Sequence, residues 1–114
     1  GLAVALSRAS FENSVGAEIR LVPYSESRPY TDVCRLFSEE ASQVIVSCSR
    51  EQVESVKKIA NEVGFVTVIE IGNTQRGRLH ISIGDHVLIN STVTELKTRF
   101  AAALESLLAE EVTA

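Results

Sequence analysis

The chain has 114 residues, of which 45% are hydrophobic and 23% charged, and its formal net charge at pH 7 is −4. These proportions are typical of one soluble globular domain that is long enough to bury a core. The negative charge argues against a nucleic-acid-binding surface, and no apolar run is long enough to cross a membrane. The 2 cysteines are too few for a disulfide framework or a thiolate metal site, which is compatible with a reducing cytosol.

The first residues predict a helix and also suggest that the chain is part of a longer protein. Gly1 is followed directly by an apolar helical stripe that contains Leu2, Ala5, Leu6 and Ala9. A native N-terminus more often begins with a polar, loosely ordered stretch. We therefore expect the chain to be a fragment of a longer protein.

The next segments show strand, helix and strand patterns in turn. Residues 17–21 alternate strictly between apolar and polar, as a half-buried strand does. A polar loop lies between Pro23 and Pro29, and residues 30–37 predict a short helix. The nearly continuous apolar run at 44–48 predicts a central strand covered on both faces.

The middle of the chain has a helix with a recognisable start and end. Ser49 and Gln52 have the spacing of a capping box, and Gly64 is placed to end the helix. Residues 65–71 predict another strand, and residues 72–77 predict a turn.

The last third of the chain predicts two strands and a long helix. Residues 79–83 and 87–89 have strand patterns, and Thr92 and Glu95 form a second capping box before the helix. The predicted order is α-β-α-β-α-β-β-β-α. Because both strand periodicities occur, we expect an α+β fold with a mixed sheet and packed helices, organised as one domain over residues 1–114.

Few residues in the sequence suggest catalysis. His80 alternates with apolar neighbours, so it should face away from the core. Asp85 and His86 lie in a turn and supply too few ligands for a metal ion. Cys34 and Cys48 lie among apolar residues, which predicts buried, structural cysteines. No metal-binding or acid/base cluster is therefore expected in this chain.

The polar connector at residues 38–43, with the sequence SEEASQ, is the best candidate for a site. Glu39 and Glu40 follow a predicted helix, where each faces the negative end of the helix dipole at a cost of roughly a few tenths of a kcal/mol. Because the sequence retains these carboxylates despite the cost, they are expected to have a function, such as binding a ligand hydroxyl or a cation, or docking a neighbouring domain. A solvated helix end is the alternative interpretation.

Three separated segments resemble one known family. Residues 1–6, GLAVAL, resemble the end of the Asp-Gly-Gly-Leu-Ala-Val-Ala motif of phosphoribosylformylglycinamidine synthase II, the ATP-binding subunit. Residues 36–47, LFSEEASQVIVS, resemble the family segment Leu-Phe-Gly/Ser-Glu-Ser-x-Ser-Arg-Val-Val-Val-Ser. Residues 93–96 and the helix after them resemble the end of that chain.

The resemblance implies a fold and an activity. The fold is the C-terminal α+β domain of the aminoimidazole ribonucleotide synthetase superfamily, which closes a cleft against an N-terminal domain of the same chain. That N-terminal domain supplies most ligands of ATP and Mg2+, and none are expected in this fragment. The implied enzyme is an ATP-dependent ligase of purine biosynthesis. ATP activates the amide oxygen of formylglycinamide ribonucleotide, and glutamine-derived ammonia displaces the phosphoryl group to give the amidine. The fragment alone is expected to be inactive.

The resemblance also implies a substrate site and partners. Gly1, Ser38, Glu39 and Ser42 are expected to line the substrate side of the cleft. Gln43 stands where the family has an arginine, so a positive charge is missing at this position. The implied partners are the ribonucleotide, the N-terminal domain, a glutaminase subunit and a small accessory subunit. Neither nucleic acid nor a membrane is implied, and the expected location is the cytoplasm.

Two other interpretations remain open at the level of sequence. The chain could belong to a sister enzyme of the same superfamily, such as aminoimidazole ribonucleotide synthetase, selenophosphate synthetase or thiamine-monophosphate kinase. It could also be a small regulatory or binding module with a ferredoxin-like core and no catalysis.

Overall fold

The computed structural model describes residues 1–23, 29–39 and 41–113. Residues 24–28 of the predicted polar loop and Glu40 of the connector lie outside the described residues. The chain folds as two compact units, one made of Gly1–Glu40 with Gly72–Ala114 and the other made of Ala41–Ile71. The prediction of a single domain over the whole chain stays a prediction.

Four helices and four strands are described along the chain. A single 3-10 turn at Arg50–Gln52 precedes the third helix. In chain order the elements are α1 (Leu2–Ser10), β1 (Val15–Leu21), α2 (Pro29–Phe37), α3 (Val53–Val63), β2 (Gly72–Arg76), β3 (Arg78–Ile83), β4 (His86–Thr92) and α4 (Val93–Thr113).

The four strands form one mixed sheet in the first unit. Their order is β2-β1-β3-β4, with β1 parallel to β3 and the other two pairs antiparallel. Helix α1 packs against β1 and β3, and both α2 and α4 pack against α1. The α+β class and the mixed sheet with packed helices are therefore confirmed.

Strand alternation divides the sheet into an apolar and a polar face. The core contains six buried apolar side chains of the two central strands: Ala17, Ile19, Leu21, Leu79, Ile81 and Ile83. Glu18 pairs with His80 in register on the opposite face, so the prediction that His80 faces away from the core is confirmed. There Arg20 Nη2 donates to Glu18 Oε1 at 2.7 Å, which lowers the pKa of the Glu18 carboxyl, and the nearby His80 adds a smaller effect in the same direction.

Two predicted strands do not form within the described part of the chain. Residues 44–48 and 65–71 have no ladder partner, and Phe65 is 97% exposed. A strand forms instead at Gly72–Arg76, where the sequence predicts a turn, because β1 offers its free edge there and pairs Ala17 with Thr74. A strand needs a neighbour for its backbone groups, so an apolar run alone does not decide its position.

The cysteines also depart from the prediction. Cys34 and Cys48 are both exposed free thiols, so the expectation that they are buried was wrong. Cys34 lies on the outer face of the amphipathic helix α2, whereas Leu36 of the same helix is buried. Cys48 lies in the irregular segment that the sequence assigned to a buried strand.

The two predicted capping boxes have different outcomes. At the start of α4 the Glu95 N–H donates to Thr92 Oγ1 at 3.1 Å, and the Thr92 N–H donates back to Glu95 Oε2 at 3.2 Å. The Ser91 hydroxyl also donates to Glu95, and these bonds, led by that of Ser91, lower the pKa of the Glu95 carboxyl. The Ser49 side chain, by contrast, makes no capping bond, because a 3-10 turn intervenes before α3. That capping box was wrongly predicted, whereas the end of α3 at left-handed Gly64 is confirmed.

We expect Thr92→Ala to lower the free energy of unfolding by about 1 kcal/mol, because the substitution removes the acceptor for the Glu95 N–H. Ser49→Ala is the matched control, since its hydroxyl caps nothing. Urea denaturation followed by circular dichroism measures both variants. Equal losses of stability in the two variants would contradict the assignment of the cap to Thr92.

Candidate functional site

The start of α1 and the end of α2 lie side by side in the first unit. The Gly1 nitrogen is 3.7 Å from Glu39 Oε1, so the structure brings together two of the residues predicted to form the site. The Glu39 side chain is 90% exposed, so water reaches its carboxylate. The carboxylate is therefore accessible to a ligand.

Gly1 is held in close contact with the last turn of α2. A Cβ built on Gly1 would lie 2.5 Å from the carbonyl carbon of Phe37 and 2.7 Å from the carbonyl oxygen of Leu36. Both neighbours are backbone atoms, which cannot rotate away. A residue without a side chain is what lets α1 begin this close to Glu39.

Ser38 ends α2 and uses its polar atoms locally. Its N–H donates to the Cys34 carbonyl at 2.8 Å, and its hydroxyl donates to the same oxygen. The N–H bond is the last i→i−4 bond of the helix, and the hydroxyl adds a second donor to the same carbonyl oxygen. Ser38 lies next to Glu39 in the candidate site, and in this structure it shapes the helix end.

Sequence reasoning did not single out Arg35, which positions α2. Its guanidinium donates to the carbonyl oxygen of Val22, just after β1, and so ties the helix to the central sheet. Leu36, the residue next to Arg35, is buried and also holds α2 in place. A basic residue in the last turn of a helix was the available signal, because such residues commonly bond to carbonyl groups.

Ser42 belongs to the second unit, in a turn at residues 41–42. Its φ is +66°, in the left-handed region that non-glycine residues seldom adopt. Gln43, at the position of the family arginine, follows this turn and is exposed. Gly1, Ser38 and Glu39 thus lie in one unit, and Ser42 lies in the other.

The arrangement around Glu39 offers a hydrogen-bond acceptor beside backbone donors. The first bond within α1 runs from the Ala5 N–H to the Gly1 carbonyl at 3.0 Å, and no side chain caps the start of the helix. The N–H groups of the first turn therefore have no partner within the helix. Together with the Glu39 carboxylate, they can bind a ligand that has both hydroxyl or amino groups and an acceptor.

Two features of the described residues bear on the kind of site. No group of three or more His, Cys, Asp and Glu side chains in that part of the chain is arranged to hold a metal ion. None of the described helices has the length and apolar character of a membrane-spanning segment.

Comparison with known proteins identifies the class of domain that this fold represents. The family described as AIR synthase related protein, C-terminal domain, matches residues 1–84. The chain belongs to this family. The match includes α1, the end of α2 and Glu39, and it extends through β3.

Individual relatives match over nearly the whole chain. The phosphoribosylformylglycinamidine synthase subunit PurL of Methanococcus aeolicus is 30% identical over 98% of this chain and 14% of its own length. The protein of the same name from Methanocaldococcus jannaschii is 29% identical over 96% of this chain and 14% of its own length. The protein of that name from Prochlorococcus marinus is 29% identical over 91% of this chain and 13% of its own length. The chain thus spans about one-seventh of the length of these relatives, 13–14%. No solved structure matches the chain.

Proposed function

We propose that this chain is the C-terminal domain of a phosphoribosylformylglycinamidine synthase, a cytoplasmic, ATP-dependent ligase of purine biosynthesis. The observation that carries the proposal is the similarity to synthase subunits over 91–98% of the chain, together with the family match over residues 1–84. The proposed reaction converts formylglycinamide ribonucleotide to its amidine with ammonia derived from glutamine.

Within that enzyme, the chain forms one wall of the cleft that holds the ribonucleotide. Glu39 has the properties of a substrate-binding residue, because its carboxylate is exposed and lies 3.7 Å from the Gly1 nitrogen at the start of α1. It accepts hydrogen bonds from substrate hydroxyl or amino groups, and the first turn of α1 donates to substrate oxygens. Ser38 shapes this wall, and Ser42 joins it in the complete enzyme.

In the complete enzyme, this chain takes no part in binding ATP or Mg2+. As the family resemblance implies, the N-terminal domain of the longer chain holds both groups. When bound, they supply phosphoryl transfer to the amide oxygen and stabilise its charge. A glutaminase subunit and a small accessory subunit deliver the ammonia, and the 114-residue chain by itself has no synthase activity.

We expect Glu39→Gln in the full-length synthase to lower kcat/KM for formylglycinamide ribonucleotide by about tenfold or more, because a charge-assisted hydrogen bond contributes about 1.5–3 kcal/mol. Thermal stability should stay unchanged or rise slightly, since the substitution removes a negative charge at a helix C-terminus. Steady-state kinetics and thermal unfolding of the same preparation measure both effects.

Glu12→Gln is the matched control, because Glu12 is also an exposed carboxylate just after a helix, in this case α1. The Glu12→Gln substitution should change neither kcat nor KM for formylglycinamide ribonucleotide. Wild-type kinetics in the Glu39→Gln enzyme would refute the site assignment and leave a solvated helix end. Absence of any synthase activity in the wild-type full-length protein would refute the proposed function itself.

A further inference from the structure

The position of the Glu39 carboxylate depends on the last turn of α2, because Glu39 lies just beyond the end of that helix at Phe37. Ser38, the residue between them, is bound to the helix through its N–H and its hydroxyl, which both donate to the Cys34 carbonyl oxygen. A shift of the last turn of α2 therefore moves Glu39 with it.

Contact with α1 limits such a shift in one direction only. A Cβ on Gly1 would lie 2.5 Å from the carbonyl carbon of Phe37, so the two backbones are already as close as a glycine allows. This contact prevents α2 from moving closer to α1, but it does not prevent α2 from moving away. Such a movement would separate the Gly1 nitrogen from Glu39 Oε1, which are 3.7 Å apart.

Two neighbouring residues of α2 oppose that movement. Leu36 is 5% exposed, and its burial is favourable in any orientation that keeps it from water, because the hydrophobic effect is not directional. Arg35 adds a directional interaction, since its guanidinium donates to the carbonyl oxygen of Val22, the residue after β1. Because this acceptor belongs to the backbone that leaves a central strand, the bond fixes the last turn of α2 relative to the sheet.

We propose that Arg35 is a positioning residue, which sets the affinity for formylglycinamide ribonucleotide by holding the Glu39 carboxylate beside the start of α1. This role rests on the proposed function and on Glu39 as a substrate-binding residue. Arg35 acts through Glu39 rather than on the substrate, and its own bond is to the Val22 carbonyl.

Steady-state kinetics of the full-length synthase test the proposal. Arg35→Ala should raise KM for formylglycinamide ribonucleotide by about fivefold, because a carboxylate that is no longer held in place binds the substrate less well. Its kcat should stay within about twofold of the wild type, since the loss of an interaction made equally in the ground state and the transition state changes KM alone. Thermal unfolding establishes that each variant is folded.

The double variant Arg35→Ala/Glu39→Gln separates positioning from a direct contact with the substrate. Once the Glu39 charge is absent, its position has little influence, so Arg35→Ala should change KM by no more than about 1.5-fold in the Glu39→Gln background. An arginine that bound the anionic substrate directly would instead raise KM by the same factor in both backgrounds.

Arg8→Ala is the matched control. Arg8 also lies in the last turn of a helix of the first unit, but its guanidinium lies 5.8 Å from the centroid of the Phe100 ring, at the opposite end of α1 from Gly1. This variant should keep the wild-type KM and kcat even if its thermal stability falls. A merely structural role of Arg35 would give the same result as Arg8→Ala.

Arg35→Lys keeps the test decisive if Arg35→Ala does not fold. Its ammonium retains the charge and a donor but lacks the planar guanidinium, so KM should rise by about threefold. That rise should also disappear in the Glu39→Gln background.

Four results would count against the proposal, and they separate it from the proposed function. A wild-type KM in the Arg35 variants, in an enzyme that Glu39→Gln impairs, would overturn the role of Arg35 and leave the proposed function intact. Equal increases in KM in both backgrounds would do the same. Wild-type kinetics in the Glu39→Gln enzyme would remove the site through which Arg35 acts. A wild-type full-length protein without synthase activity would refute the proposed function and this role with it.

Discussion

Leu79→Ala is expected to lower the free energy of unfolding by about 3–4 kcal/mol, within the range measured for buried leucines. Leu79 is 0% exposed, on strand β3 between β1 and β4, and helix α1 packs over β1 and β3. The substitution removes apolar contacts and leaves a cavity that the paired strands cannot collapse to fill. Urea denaturation of the purified chain measures the loss.

Val87→Ala is the control for this prediction, because Val87 is an exposed residue of the edge strand β4. Its effect should stay within about 0.5 kcal/mol, as for most surface substitutions. A loss of less than about 1 kcal/mol for Leu79→Ala would contradict the assignment of Leu79 to a well-packed core, since even small cavities in such sites cost more.

Gly16→Ala is expected to cost about 3 kcal/mol, the upper end of the range for overpacking. A Cβ on Gly16 would overlap the carbonyl group of Arg78 and lie 3.1 Å from the Leu79 nitrogen. These are backbone atoms of β3, the parallel neighbour of β1, so no side chain can rotate to make room. The two central strands would have to separate locally and lose ladder hydrogen bonds. Chemical denaturation and amide hydrogen exchange of β1 and β3 measure both consequences.

Gly77→Ala separates this steric effect from the general loss of a glycine. Gly77 has a φ of +72°, but no atom lies within 4 Å of the position that an added methyl group would take, so its substitution introduces only backbone strain. That strain should cost about 1–2 kcal/mol. If Gly16→Ala were no more destabilising than Gly77→Ala, the close approach of β1 and β3 would be refuted.

The sequence by itself determined the elements whose signals are local. Strict alternation placed strands at residues 17–21 and 79–83, and the structure has them at Val15–Leu21 and Arg78–Ile83. The second capping box, formed by Thr92 and Glu95, was also predictable. Periodicity and capping depend on residues within a few positions of each other, so a short window contains the whole interaction.

The sequence also singled out Glu39, because a carboxylate after a helix is electrostatically unfavourable. Its neighbour in space was not predictable in this way. Only the packing of α1 against α2 placed the Gly1 nitrogen 3.7 Å away, across 38 positions of the chain. Local patterns contain no information on which helix ends meet.

The tertiary structure alone decided where the remaining strands lie. Residues 44–48 and 65–71 have stronger strand composition than Gly72–Arg76, yet only the latter forms a strand in the described part of the chain. Strand formation requires a partner that supplies backbone donors and acceptors in register, and β1 supplies them to β2. Apolar composition determines which segments are suited to a sheet, whereas the free edge of an existing sheet determines which one joins it.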